Sequence, residues 1–146
     1  MTTMAALLKR KSTAVIAVSP DAKIHEVVRV LAERRIGAVV VQSANQDLLG
    51  ILSERDVVRS LAANGIATMD MIASQIMTRA PTTATPHTTI FEAETLMTDG
   101  RFRHLPIVDG GKLTGVVSIG DVVAGLMEEQ AHEVRSLRSY VTGSAD

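Results

Sequence analysis

Apolar positions along the chain follow two spacings that alternate in the same order twice. Ile24, Val27, Val28 and Leu31 recur at the i, i+3, i+4, i+7 spacing of one helix face, and Ile90, Ala93 and Met97 do the same later. Before each helical stretch a short β-rich segment meets a proline, Thr13–Val18 ahead of Pro20 and Thr82–Thr85 ahead of Pro86. After each comes an apolar run too short for a helix, Ala38–Val41 or Leu105–Val108, and then a turn, SANQD or DGG. Asp-Gly between two apolar runs is a strong hairpin signal. The returning strand, Leu48–Leu52 or Leu113–Val117, leads into a second helix. The pattern predicts an α/β fold of two β-α-β-β-α repeats. A unit of roughly 55 residues buries too little surface to stand alone, so the two copies are expected to press together about a pseudo-twofold axis.

Aligning the halves supports the duplication. SPDAKI (Ser19–Ile24) matches TPHTTI (Thr85–Ile90) at an offset of 66, while Ser53 and Asp56 match Ser118 and Asp121 at an offset of 65. The expected organisation is repeat 1 at 13–63, a connector at 64–81 containing Gly65 and MDMIASQIM, repeat 2 at 82–127, and a C-terminal helical extension at 128–146. From Asp121 to about Val141, a stripe of Val123, Leu126, Met127, Val134, Leu137 and Val141, interrupted by Gln130, is longer than one small repeat can cover. We expect that helix to continue across a twofold interface and give a homodimer; packing on its own domain is the alternative.

Composition limits the chemistry. The chain is 46% hydrophobic but has only two Phe, one Tyr and no Trp, so the core is aliphatic and aromatic stacking of single-stranded nucleic acid is disfavoured. Net charge is −1 and the basic residues lie in short clusters, so no nucleic-acid partner is expected. With no cysteine, disulfides, thiolate metal sites and cysteine nucleophiles drop out together. No apolar run reaches the roughly 18 residues of a membrane span, and MTTMAALLKRK puts its apolar piece before its charges; the expectation is a soluble, cytoplasmic protein with no membrane partner.

The two strand-to-helix junctions, ILSERDVV (Ile51–Val58) and VVSIGDVV (Val116–Val123), carry the candidate chemistry. A Ser followed three residues later by an acidic residue at a helix start is a capping box. The same geometry offers backbone N–H groups and a positive dipole end to an anion, and an ionised carboxylate there can accept two hydrogen bonds from a ribose diol. Both readings apply to both junctions: one side chain can cap the helix when the site is empty and contact a ligand when it is filled.

Taken together, SPDAKI-x-EVVRVLAERRIGAVVV, GILSERDVV and RFRHLPIVDGGKLTGVVSIGDVV resemble a tandem pair of CBS domains, more narrowly the small stand-alone bacterial CBS-pair proteins, from about Val15 to Ala124. That resemblance implies a regulatory, energy-sensing module with adenosine nucleotides in clefts between the repeats: AMP first, with ADP, ATP or NAD(H) as alternatives. It assigns the ribose hydroxyls to Asp56 and Asp121 and the phosphate side to Ser53 and Ser118. It sets the adenine against Ile36, Gly37 and Ala38 in one half and Phe102, Arg103 and His104 in the other. The segments entering each repeat, Lys11, Ser12 and Thr13, and Thr78 and Arg79, are expected to close the cleft of the opposite repeat's aspartate. The second site has the basic RFRHLP cluster and Gly120 with its open backbone, whereas the first has Arg55 beside Glu54. Tighter binding is therefore expected at Asp121.

The motifs of enzymes are missing. There is no G-x-G-x-x-G, P-loop or H-E-x-x-H, and the Gly that a nucleophile elbow needs two residues before Ser118 is Val116. Glu128 and His132 stand at i, i+4 without a third ligand and read as a solvated helix face, so no metal site is expected. The alternatives to a sensor are a metal-dependent nucleotide phosphohydrolase using Asp56 or Asp121, and a ligand-free dimerisation scaffold. A sensor of this kind would pass its signal to an effector protein in a separate chain.

Overall fold

The computed structural model describes residues 1–11 and 14–142. Within them both repeats appear in the expected order, preceded by a helix that the apolar pattern had not suggested, α1 (Met4–Lys11). Repeat 1 runs β1 (Ala17–Val18), α2 (Ile24–Arg34), β2 (Ala38–Gln42), β3 (Leu48–Ser53) and α3 (Glu54–Asn64). The connector is more structured than a linker: a 3-10 helix (Gly65–Asp70), α4 (Ala73–Ile76) and β4 (Thr78–Arg79). Repeat 2 runs α5 (Ile90–Gly100), β5 (His104–Asp109), β6 (Lys112–Ser118) and α6 (Ile119–Thr142).

The entering strands are shorter than expected. β1 has two residues, pairing Ala17 and Val18 in parallel with Val40 and Val41 of β2. In repeat 2, Thr82–Thr85 contributes only a single parallel bridge from Ala84 to Ile107. Pro81 and Pro86 flank that segment, and a residue without an N–H cannot extend a ladder.

Contacts divide the chain into two units: the described residues of Met1–Thr13, Thr83–Ile107 and Val116–Asp146 in one, and Ala14–Thr82 with Val108–Gly115 in the other. The first unit therefore combines most of repeat 2 with the segment that leads into repeat 1, and the second combines repeat 1 with the connector and the hairpin tip of repeat 2. In the first, Ile90, Ala93 and Met97 of α5 pack with Leu105, Ile107, Val117 and Val122, and the core is completed by Met4 and Leu7 of α1. Gly125 allows the close approach of α6, since a Cβ there would lie 2.5 Å from Ile90 Cδ1 and 2.9 Å from Leu7 Cδ2.

The second unit is built on a sheet of order β1-β2-β3-β4. Ile24, Val27 and Leu31 of α2 cover Val39, Val41 and Leu52, with Val57 and Ala73 closing the cluster. β4 pairs antiparallel with β3 at Gly50 and Ile51. Gly50 is needed for that pairing, because a Cβ there would come 2.6 Å from the Thr78 carbonyl oxygen.

The hairpin of repeat 2 turns as expected: Gly110 (φ 57°) and Gly111 (φ 83°) supply the two positive φ angles of a type I′ turn. α2 and α5 both end on an arginine in the left-handed region, Arg35 (φ 54°) and Arg101 (φ 57°), where glycine is the usual residue.

Candidate functional site

Each Ser-x-x-Asp segment sits where a strand becomes a helix, because the serine is the last residue of the strand and its extended backbone stops the helix from starting earlier. Ser53 (φ −106°, ψ 165°) caps α3. Its N–H donates to Asp56 Oδ2 at 2.9 Å, the Asp56 N–H donates to Ser53 Oγ at 3.3 Å, and the Ser53 hydroxyl donates to the same carboxylate oxygen at 3.1 Å. At the second junction the Ser118 N–H donates to Asp121 Oδ2 at 2.8 Å and the Asp121 N–H to Ser118 Oγ at 3.1 Å. The capping boxes expected from the sequence are thus formed in both copies.

The first N–H of each helix is also used, by equivalent residues. Glu54 donates to the Gly37 carbonyl at 2.9 Å and Ile119 to the Arg103 carbonyl at 2.8 Å. This brings the predicted base-binding segments, Ile36–Ala38 and Phe102–His104, against the two helix starts. It also narrows the anion-binding potential, because the first and third helical N–H groups at each junction already donate within the chain. The second positions are Arg55 and Gly120. A Cβ on Gly120 would meet only Ser118 Oγ, at 3.6 Å, so packing within the chain does not require glycine there.

What reaches each aspartate from the entering segment differs. Thr78 Oγ1 donates to Asp56 Oδ1 at 3.3 Å, while Arg79 Nη2 turns to the Ser74 carbonyl at 3.0 Å. At the other junction Lys11 Nζ donates to Asp121 Oδ2 at 2.9 Å and to the Val116 carbonyl at 3.0 Å. Burial raises the Asp121 carboxyl, but the Ser118 N–H, the Lys11 ammonium and the Ser118 hydroxyl outweigh it and hold the pKa below its ordinary value of 3.8. Asp121 therefore remains an anion at neutral pH with a cation beside it, whereas Asp56 has a hydroxyl. Ser12 and Thr13 lie outside the described residues.

Duplicated strand-to-helix junctions, each visited by the segment that leads into the other repeat, are a specific arrangement, and the CBS domain family matches this chain at residues 11–63 and 73–128. The chain belongs to the CBS-domain family. A solved CBS-domain protein from Agrobacterium tumefaciens is similar at 41% identity, with 84% of this chain and 92% of that one covered and a TM-score of 0.82. One from Pyrobaculum aerophilum, solved in complex with AMP, is similar at 28% identity, covering 82% of this chain and 88% of that one with a TM-score of 0.73. Among curated proteins, a mitochondrial CBS-domain-containing protein of Arabidopsis thaliana is 35% identical over 127 residues; the match takes 84% of this chain but 62% of that protein's length.

The remaining predicted residues are spread around these CBS junctions. Phe102 packs its ring over Gly100, where a Cβ would lie 2.3 Å from Cε1, and against the core of its unit. Arg103 is exposed, and His104 begins β5 half-buried. Sequence reasoning named Lys11 but missed the helix that carries it. Arg10 of that helix pairs with Glu128 of α6, and the Thr2 N–H donates to Glu129 Oε1 at 3.3 Å. Met4, Leu7 and Leu8 hold the i, i+3, i+4 spacing that could have revealed it. Among the described residues no three His, Asp or Glu side chains are grouped to hold a metal, and no helix is long and apolar enough to cross a membrane.

Proposed function

We propose that this CBS pair is a regulatory module that binds an adenosine nucleotide, AMP foremost, with Asp121 as the stronger site and Asp56 as the weaker. The observation that carries this reading is the ionised Asp121 carboxylate beside the Lys11 ammonium at a helix start. The AMP complex of the Pyrobaculum aerophilum relative supports the ligand class. A ribose diol donates to the carboxylate, and charge-assisted bonds of this kind are the stronger ones. Lys11 and the Gly120 N–H serve the phosphate, while the backbone at Arg103 and His104 faces the base. At Asp56, the Thr78 hydroxyl stands in place of an ammonium, which leaves the phosphate less well compensated. NAD(H), ADP and ATP share the adenosine moiety and are the competing ligands.

The role is regulatory and no catalytic step is assigned. Nucleotide binding signals by favouring one of two conformations, which requires a different affinity for each. The output passes to an effector protein. The exposed apolar residues of α6 support a homodimer as the working form.

Calorimetry against AMP, ADP, ATP and NAD(H) tests the reading. AMP at 100 times its dissociation constant should add about 2.7 kcal/mol to stability. Asp121→Asn should weaken AMP binding by about tenfold or more, the loss of one charged hydrogen bond, and Asp56→Asn by less. No response to any adenosine nucleotide leaves the ligand-free scaffold; divalent-metal-dependent turnover of the nucleotide leaves the phosphohydrolase.

A further inference from the structure

Only the first turns of α6 face the core: Val122 and Gly125 are buried and Leu126 packs partly against the cluster. The stripe read from the sequence therefore splits, with Leu126 on the inner side. What remains outward is Val123, Met127, Gln130, Val134, Leu137 and Val141, and its five apolar members are 47–81% exposed. Their spacing is 4, 3, 4, 3, 4. That is a heptad seam, with Val123, Gln130 and Leu137 at d and Met127, Val134 and Val141 at a. A helix that only covered its own domain would keep the broader 3.6-residue face.

We propose that α6 pairs along this seam with α6 of a second copy as a parallel two-stranded coiled coil. The proposal rests on the homodimer reading above and adds the location and direction of the contact. β-branched residues at two of the three a positions and Leu137 at d favour a two-stranded parallel pair. Charge fixes the direction. In a parallel pair each g residue faces the e residue five positions on in the partner helix, which brings Glu133 opposite Arg138 twice by symmetry. In an antiparallel pair g faces g and e faces e. The g positions are Leu126, Glu133 and Tyr140 and the e positions Ala124, Ala131 and Arg138, so no attractive pair forms. Gln130 at the middle d layer can hydrogen-bond to its own copy, a device that fixes register. The seam from Val123 to Val141 spans about 27 Å, roughly two and a half heptads, which is short for an isolated pair. Here packing on the core already holds the start of α6 as helix, so the costly nucleation step is met within each chain.

The chain has no cysteine, so single thiols can be introduced cleanly. Met127→Cys and Val141→Cys, in separate proteins, should each cross-link to its own copy under mild oxidation, and Arg135→Cys on the outer face should not. By sedimentation, wild type should have twice the 15.6 kDa chain mass. Glu133→Arg should weaken the dimer by about fivefold or more, and adding Arg138→Glu should restore it. A dimer in which Met127→Cys cross-links only to Leu137→Cys, in a mixture or double variant, is antiparallel, because that orientation sets a positions against d positions, and it overturns the proposal. A dimer with no cross-link at either position places the interface elsewhere and also overturns it, leaving the homodimer reading intact. A wild-type monomer at high concentration removes both.

Discussion

Replacing Asp121 with Asn separates the two roles of this side chain. An amide oxygen can still accept from the Ser118 N–H, so most of the cap survives; the ion pair with Lys11 does not. The Lys11 and Asp121 side chains are 33% and 29% exposed, so solvent screens the pair and its worth is about 0.5–1 kcal/mol rather than the several kcal/mol of a dry interior. Asp121→Ala removes the cap as well, for a further 1 kcal/mol or about that. At about 2–4 °C per kcal/mol for a chain of this size, the variants should melt roughly 1–4 °C and 3–8 °C below wild type. Because the folded carboxyl has a lowered pKa, the unfolded chain binds more protons as the pH falls. Its contribution is thus fully present above the unfolded value of about 3.9 and is lost as pH drops through the lower folded value. Urea unfolding of wild type and Asp121→Asn, followed by far-UV circular dichroism from about pH 6 to pH 2.5, reads this directly. The stability gap should be constant above about pH 5 and shrink below pH 4. The account fails if the gap does not change with pH, or if it is equally large in a Lys11→Met background, where no pair remains to be lost.

Three further outcomes can be checked by urea unfolding. Arg35→Gly should stabilise by about 0.5–1 kcal/mol, because an L side chain in the left-handed region costs more than glycine's extra unfolded-state freedom, while Arg35→Ala should give no gain. Gly50→Ala forces a Cβ against the Thr78 carbonyl and should cost about 1–3 kcal/mol, with faster amide exchange where β3 meets β4. Thr68→Val should cost about 0.5–1.5 kcal/mol by removing the 2.9 Å hydrogen bond to Ser60, both residues being buried; the Ser60 hydroxyl still accepts from Asn64 Nδ2 at 3.2 Å and reaches Met71 Sδ at 3.7 Å, so adding Ser60→Ala should cost more rather than recover the loss.

Features carried by local pattern were legible in the sequence. Ile24, Val27 and Leu31 and their counterparts Ile90, Ala93 and Met97 are buried where their spacing put them, and Gly110-Gly111 turns the hairpin that DGG announced. Ser-x-x-Asp marked both helix starts, because a cap is a contact between residues three apart. Features that depend on distant partners were less legible. α1 is eight residues ending in Lys-Arg-Lys, and its helical state is stabilised by Met4 and Leu7 entering a core made mostly of residues beyond 83. β4 is two residues whose pairing is decided by Gly50, nearly thirty positions earlier. The α6 stripe was recognised, but its inner and outer sides could be told apart only once Leu126 was seen against the core. The sequence already set the two aspartates apart, with RFRHLP and Gly120 beside one and Arg55 and Glu54 beside the other; the structure adds that an ammonium, Lys11, faces Asp121 and a hydroxyl, Thr78, faces Asp56.

The placement of α1 also constrains the order of events during synthesis. Lys11 leaves the ribosome 110 residues before Asp121, and Arg10 leaves 118 before Glu128. At about 5–20 residues per second, Met4 and Leu7 wait roughly 5–20 s for the residues that bury them. Most of the unit around repeat 1 can assemble during that interval. α1 is therefore made early and secured late, and the step that docks it also seats Lys11 beside Asp121. The nascent protein completes its fold and its charged junction together.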